Sequence, residues 1–204
     1  MVLGEEHVKK LLLFICMRIK MSIEVILGSM FSEKSTELIK RVRRHLIAGR
    51  TCLVFKNGLD CERYNTGQII THDKKTLEAI PVTSILEIKK YIYGRDFDVI
   101  AIDEAQFFDE DIVDFSRAIS QNFNKKVILA GLDMDYCGNP FGYMGDLCCI
   151  ADTVTKLHAV CVKCGQDAKY SHRKSNEKNV ISIGAIDKYE ALCEKCYVEG
   201  DDEK

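Results

Sequence analysis

Gly28, Lys34 and Ser35 stand at the spacing Gly-x-x-x-x-x-Lys-Ser, directly after the apolar run Ile23-Glu24-Val25-Ile26-Leu27. An apolar strand ending at glycine, a short loop and a Lys-Ser pair opening a helix form the phosphate-loop pattern G-x-x-x-x-G-K-[ST]. In such a loop, backbone N–H groups and the helix N-terminus hold phosphate oxygens. The lysine reaches the β- and γ-phosphates, and the hydroxyl after it binds Mg²⁺. The nine residues that would form the cradle are Gly28, Ser29, Met30, Phe31, Ser32, Glu33, Lys34, Ser35 and Thr36. Glu33 replaces the second glycine of the pattern. A glycine there permits a left-handed backbone, and another residue is strained by ~1–3 kcal/mol. A carboxylate ~4 Å from one phosphate charge at an effective dielectric of ~20 costs about 4 kcal/mol as an upper figure, less if it turns to solvent. Weakened binding of a nucleotide's phosphates is therefore expected. Taken alone, the loop also fits an ordinary β–α turn.

Two further groups of residues extend the chemistry. Val99-Ile100-Ala101-Ile102 is an apolar strand ending in Asp103-Glu104. An acid at a strand end completes the Mg²⁺ shell of a phosphate-loop enzyme, and that is the place of Asp103. Glu104 beside it is a candidate general base for an attacking hydroxyl; a pair of solvated loop acids is the alternative. Cys161-Val162-Lys163-Cys164 and Cys193-Glu194-Lys195-Cys196 are separated by 28 residues. Two such pairs supply four thiolates, the set zinc takes in closed structural sites. A redox dithiol is the other reading of a single pair. His72 beside Asp73 is suggestive of acid–base work but weak as a signal.

These residues need strands and helices to hold them. Leu38, Ile39, Val42, Leu46 and Ile47 recur at helical spacing after the loop, with Lys40, Arg41, Arg43, Arg44 and His45 largely on the other, solvated face. Gly49 fits the position just past the helix end. Strands are expected at Thr51–Lys56, Ile80–Val82, Asp98–Ile102 and Val127–Leu132, and helices from Ser84 to Gly94 and from about Asp109 to Gln121. Residues 57–76 read as one long loop, and residues 147–157 as a helix followed by a strand. Alternation of short buried strands with helices argues for an α/β domain with a mainly parallel sheet.

A chain of 204 residues with 47% hydrophobic residues suits one large domain with a small appendage. A net charge of −2 gives no global field for nucleic acid or an anionic membrane. Ten cysteines, six of them scattered, point to a reducing compartment and one metal site rather than to a disulfide scaffold. The run Leu11–Met17 after Lys9-Lys10 is too short to span a bilayer, which needs ~20 residues. Arg18 and Lys20 stand where a signal peptide would have its cleavage site, so residues 1–20 read as an extension that the fold can dispense with or as a short covering helix.

Taken together, the chain resembles the type II thymidine kinases over about residues 22–198. The resemblance rests on Gly28–Ser35, Glu37–Arg44, Thr71-His72-Asp73 and Ile102-Asp103-Glu104-Ala105-Gln106-Phe107-Phe108. It continues in Ala130–Asp135, Pro140-Phe141-Gly142, Val154-Thr155-Lys156-Leu157 and the two cysteine pairs. It implies a RecA-like P-loop domain over residues 21–157, a zinc-binding domain with a lasso loop over 158–198 and a polar tail at 199–204.

It also implies transfer of the γ-phosphoryl group of ATP to the 5′-hydroxyl of thymidine, with Mg²⁺ as cofactor and a structural Zn²⁺. Glu104 would be the base. Gly28–Thr36 with Asp103, Glu104, Ala105 and Gln106 would bind ATP, and Ser35 and Asp103 would hold Mg²⁺. Arg63, Phe107, Phe108, Ser171, Ser182, Ile183, Gly184, Ala185 and Tyr189 would meet the nucleoside, the last six from a lasso at about 169–189. Cys161, Cys164, Cys193 and Cys196 would bind zinc. A cytoplasmic homotetramer or dimer inhibited by dTTP follows from the resemblance, with no nucleic-acid or membrane partner. The chain departs from the family at Glu33 and at Cys61, where an aspartate usually precedes the arginine by two residues; Asp60 and Glu62 flank it. Two alternatives stay open: a non-catalytic relative that still binds nucleoside, and a P-loop ATPase whose zinc ribbon binds nucleic acid.

Overall fold

The structure is a computed structural model that describes residues 22–58, 68–70, 76–174 and 188–201. A six-stranded sheet forms its centre, in the order β5-β2-β6-β7-β1-β8. The strands are β1 (Ser22–Gly28), β2 (Cys52–Asn57), β5 (Ile80–Val82), β6 (Val99–Asp103), β7 (Lys126–Leu132) and β8 (Thr153–Leu157). Every adjacent pair in it is parallel. The helices on its faces are α1 (Lys34–Ile47), α2 (Ile85–Ile92), α3 (Asp111–Gln121) and α4 (Met144–Ile150). One strand, β7, separates the phosphate-loop strand β1 from the acid-bearing strand β6, which is the RecA-like arrangement expected.

Both faces of the sheet are covered, which is why its strands read as unbroken apolar runs. Val25, Leu27, Ile100, Ile102, Val127 and Leu129 pack on one face with Ile85, Ile88, Ile112 and Phe115 of α2 and α3. Ile26, Val99, Ala101, Ile128 and Ala130 alternate with them and pack on Leu38, Ile39 and Val42 of α1. Gly49, at φ +74°, terminates α1, with its N–H bonded to the Leu46 carbonyl and the Arg50 N–H to that of His45.

Three expectations change. Leu46 and Ile47 keep the helical period but overhang the sheet, at 45% and 87% exposure, so α1 buries its first three turns only. Arg41 does not belong to a solvated face. Its guanidinium bonds Glu24 on β1 (3.0 Å), Glu37 (2.9 Å) and Thr155 on β8 (2.9 Å), tying the helix to the sheet. Within residues 57–76, Gln68–Ile70 (β3) pairs antiparallel with Thr76–Glu78 (β4), and Ile69 is buried against α1. Apolar alternation over three residues is too brief to announce such a strand.

The C-terminal part consists of two antiparallel pairs and a helix. Ala159–Val160 (β9) pairs with Asp167–Ala168 (β10), and Tyr170–Arg173 (β11) with Tyr189–Leu192 (β12). Helix α5 runs from Glu194 to Asp201, so residues 199–201 of the expected tail are helical. Residues 1–20 lie outside the described residues, and no helix among the described residues is long and apolar enough to cross a membrane.

Candidate functional site

The phosphate loop joins β1 to α1 at the C-terminal edge of the sheet. Gly28 is required by crowding: a Cβ on it would lie 2.2 Å from the Leu157 carbonyl oxygen of β8 and 2.8 Å from Ser32 Oγ. The loop that follows is locked by its own hydroxyls. Ser32 Oγ donates to the Ser29 carbonyl at 2.7 Å, and Lys34 Nζ donates to the same carbonyl at 2.6 Å. The ammonium is thereby folded back over the loop. Phe31 (φ 66°) and Glu33 (φ 63°) both adopt the left-handed conformation. Two non-glycine residues of this kind in three positions store strain where sites are built. Glu33 takes the backbone shape of the glycine it replaces, and its side chain is exposed.

Ser35, in the first turn of α1, donates its hydroxyl to Asp103 Oδ2 at 3.0 Å, across the intervening strand. Asp103 is buried, and its other oxygen accepts the Glu104 N–H at 3.1 Å. Burial, then the neighbouring Glu104 charge, pushes the Asp103 carboxyl up to about 7, against the Ser35 hydroxyl and the nearby Lys56. Desolvation lowers Lys34, opposed by the carboxylates of Glu104, Asp103 and Asp133. A hydroxyl and a carboxylate at this separation are hard oxygen donors of the type Mg²⁺ takes one or two at a time. Glu104 is itself left-handed at φ 56°.

The C-terminal part reaches the loop directly. Ser29 Oγ donates to the Ala168 carbonyl at 3.1 Å, and the Met30 N–H donates to Ser171 Oγ at 2.9 Å. Phe31 packs against the small core formed by Ala159, Ala168, Ala191 and Leu192 with Cys161 and Cys196. The sulfurs of Cys161, Cys164, Cys193 and Cys196 lie within 4.8 Å of one another. A tetrahedral zinc with Zn–S of ~2.3 Å needs sulfurs about 3.8 Å apart, so the set fits that metal. The thiols are electrostatically unequal. Burial opposes ionisation of Cys161, but N–H groups of Cys193, Cys164 and Lys163 bring it down to about 6. Desolvation and the surrounding thiols push Cys196 up to about 12. Four thiolates can share this space only around a cation.

A family model described as thymidine kinase matches residues 21–197. The chain belongs to the thymidine kinase family. It is 44% identical over 176 residues to a thymidine kinase of Bacteroides thetaiotaomicron, covering 86% of each chain. A Bacteroides fragilis thymidine kinase is 45% identical over 175 residues, again 86% of each. A thymidine kinase of variola virus is 45% identical over 177 residues, 87% of this chain and 97% of that one.

Several residues expected at the site are buried or bonded within the chain. Phe108 is 3% exposed within the main core, so only Phe107 of that pair remains accessible, edge-on to Phe141 at 5.5 Å. Ala105 and Gln106 are likewise buried, at 1% and 2%. Ser171 is buried and spends its oxygen on the phosphate loop. Tyr189 accepts Arg173 Nε at 3.1 Å and Nη2 at 2.6 Å. Arg63, with Asp60, Cys61 and Glu62, lies outside the described residues, as do His72, Asp73, Ser182, Ile183, Gly184 and Ala185.

The structure adds residues that spacing did not reveal. Asp133 follows β7 with both side-chain oxygens buried and without a well-directed hydrogen bond, though Lys156 Nζ lies 2.9 Å from Oδ2. The signal for it was its place at the end of a strand between β6 and β1. Tyr136 lies under the Arg173 guanidinium at 3.8 Å, and its carbonyl accepts the Tyr197 hydroxyl at 2.8 Å. No local pattern points to that pair.

Proposed function

We propose that this chain transfers the γ-phosphoryl group of ATP to the 5′-hydroxyl of thymidine. Membership of the thymidine kinase family supports the reaction. The bond from Ser35 to Asp103 at 3.0 Å carries the rest, because it joins phosphate loop and metal acid into one centre. The backbone N–H groups of Gly28–Thr36 and the Lys34 ammonium would hold the phosphates, and Ser35 and Asp103 would hold Mg²⁺. When bound, Mg²⁺ neutralises charge on the transferring group. Glu104 would take the 5′-hydroxyl proton. Phe107 would line the nucleoside pocket, with Arg63, Tyr189 and residues 182–185 as further contacts by family resemblance. Phosphoryl transfer needs mainly positioning and charge stabilisation, which this division supplies. Cys161, Cys164, Cys193 and Cys196 hold a structural zinc in this reading.

Incubation of the purified protein with ATP, Mg²⁺ and thymidine tests the proposal: dTMP and ADP are expected in equal amounts. Thymidine binding without turnover would instead favour the non-catalytic reading, for which the left-handed Glu33 is the specific observation. DNA-stimulated ATP hydrolysis would favour the nucleic-acid-dependent ATPase. Assembly as a homotetramer or dimer, inhibition by dTTP and a cytoplasmic setting belong to the same proposal.

A further inference from the structure

Gln106 is more constrained than a nucleotide contact would be. It lies in the 3₁₀ turn Ala105–Phe107 that follows Glu104. Its Oε1 accepts the Leu132 N–H at 3.0 Å, and its Nε2 donates to Glu104 Oε2 at 2.6 Å. The first bond dictates the second. A backbone N–H at the end of β7 must be met by an oxygen, so the amide nitrogen is turned towards Glu104. Glycines pack closely on both the side chain and the backbone of this residue. A Cβ on Gly131 would fall 2.7 Å from Oε1, and one on Gly142 would fall 2.3 Å from the Gln106 carbonyl oxygen. Glutamate ordinarily explores several rotamers, yet here its backbone is left-handed and one carboxylate oxygen is tied to a buried, immobile donor.

We propose that Gln106 is a positioning residue, which holds Glu104 Oε2 so that Oε1 faces the acceptor hydroxyl in one fixed orientation. The inference rests on Glu104 being the base. It explains why a buried amide stands two residues beyond it. Misplacement by ~1 Å at such a centre costs about a hundredfold in rate.

The test is a double-mutant cycle on the full-length, zinc-loaded protein. Gln106→Glu keeps length and the acceptor for Leu132 but replaces the donor to Glu104 with an oxygen. Gln106→Met keeps the length without charge, removing the Leu132 bond as well as the donor to Glu104, and serves should the first variant fail to fold. Expected for either is a kcat lowered ten- to a hundredfold. KM for ATP and thymidine should stay within about twofold, and thymidine affinity measured by calorimetry without ATP should be unchanged. In a Glu104→Gln background the same change should lower kcat no further, because Gln106 acts through that carboxylate. A kcat within twofold of the parent, with Glu104→Gln inactive, would overturn the positioning role and leave the proposed function standing. An equal loss in both backgrounds would overturn it too. Full activity of Glu104→Gln would remove the base itself, and the inference with it.

Discussion

Replacing Glu33 by glycine isolates the one departure within the phosphate loop. Two contributions change together. The first is the left-handed backbone, φ 63° and ψ 27°. A non-glycine residue pays about 1–2 kcal/mol for that conformation. Glycine removes the strain but adds about 0.4–1 kcal/mol of unfolded-state entropy. The net gain is about 0.5–1 kcal/mol, a rise in Tm of about 1–4 °C for a chain of this size.

The second contribution is charge. The side chain is exposed, so the close-approach figure of about 4 kcal/mol does not apply. At ~8 Å in water each phosphate charge costs about 0.5 kcal/mol, and two or three charges cost about 1–1.5 kcal/mol. Screening over a Debye length of ~8 Å removes more than half of this at physiological salt. Initial-rate kinetics at low and high ionic strength provide the assay. Glu33→Gly should lower the ATP KM about three- to tenfold at low salt and less at 0.5 M KCl (about a 4 Å Debye length), with the thymidine KM unchanged. Glu33→Gln should reproduce the KM change without the gain in Tm. An ATP KM and turnover identical to the parent at low salt would refute the reasoning.

The remaining predictions concern the metal acid and the joint between the two parts. Asp103 is raised to about 7 from an unfolded value near 3.8, so the native state keeps a proton that the unfolded chain loses. Its contribution to metal-free stability is complete below the unfolded value and is lost as pH rises towards 7. Mg²⁺ requires the ionised form, so the rise in Tm that Mg²⁺ and ATP produce should grow between pH 6 and 8; a constant rise would contradict this. Ser171→Ala leaves the Met30 N–H without its acceptor and should cost about 1–3 kcal/mol by denaturant unfolding, with a raised ATP KM. Cys193→Ser, or chelation of the metal, should release one equivalent of zinc and lower ATP affinity as well as stability; unchanged nucleotide binding after zinc loss would refute the coupling.

What the sequence disclosed follows from how far each interaction reaches. The sheet was legible because strands covered on both faces carry apolar residues at every position, as in Val25-Ile26-Leu27. Gly28, Lys34, Ser35 and Asp103 were legible because the strand ends that carry them have a recurring chemistry. Leu46 and Ile47 misled because helical period does not state where a sheet ends. Phe107 and Phe108 read alike, yet successive residues leave a tight turn in different directions, one outward and one into the core. The bonds of Gln106 and Ser171 escaped because their partners, Leu132 and Met30, stand 26 and 141 residues away.

Those distant contacts bear on the protein's manufacture. The loop near residue 30 is finished only when Ala168 and Ser171 arrive to bond it, and their hairpin closes on Tyr189–Leu192. A ribosome releases the loop early and these partners last, at about 5–20 residues per second. Contacts of such long sequence separation also form late in folding, since the intervening chain must first be closed. A nascent or prematurely ended chain thus carries the phosphate-binding signature without a set cradle. On the proposed function, nucleotide capture would be deferred until the four-cysteine end has been made, and incomplete products would not draw on the ATP pool.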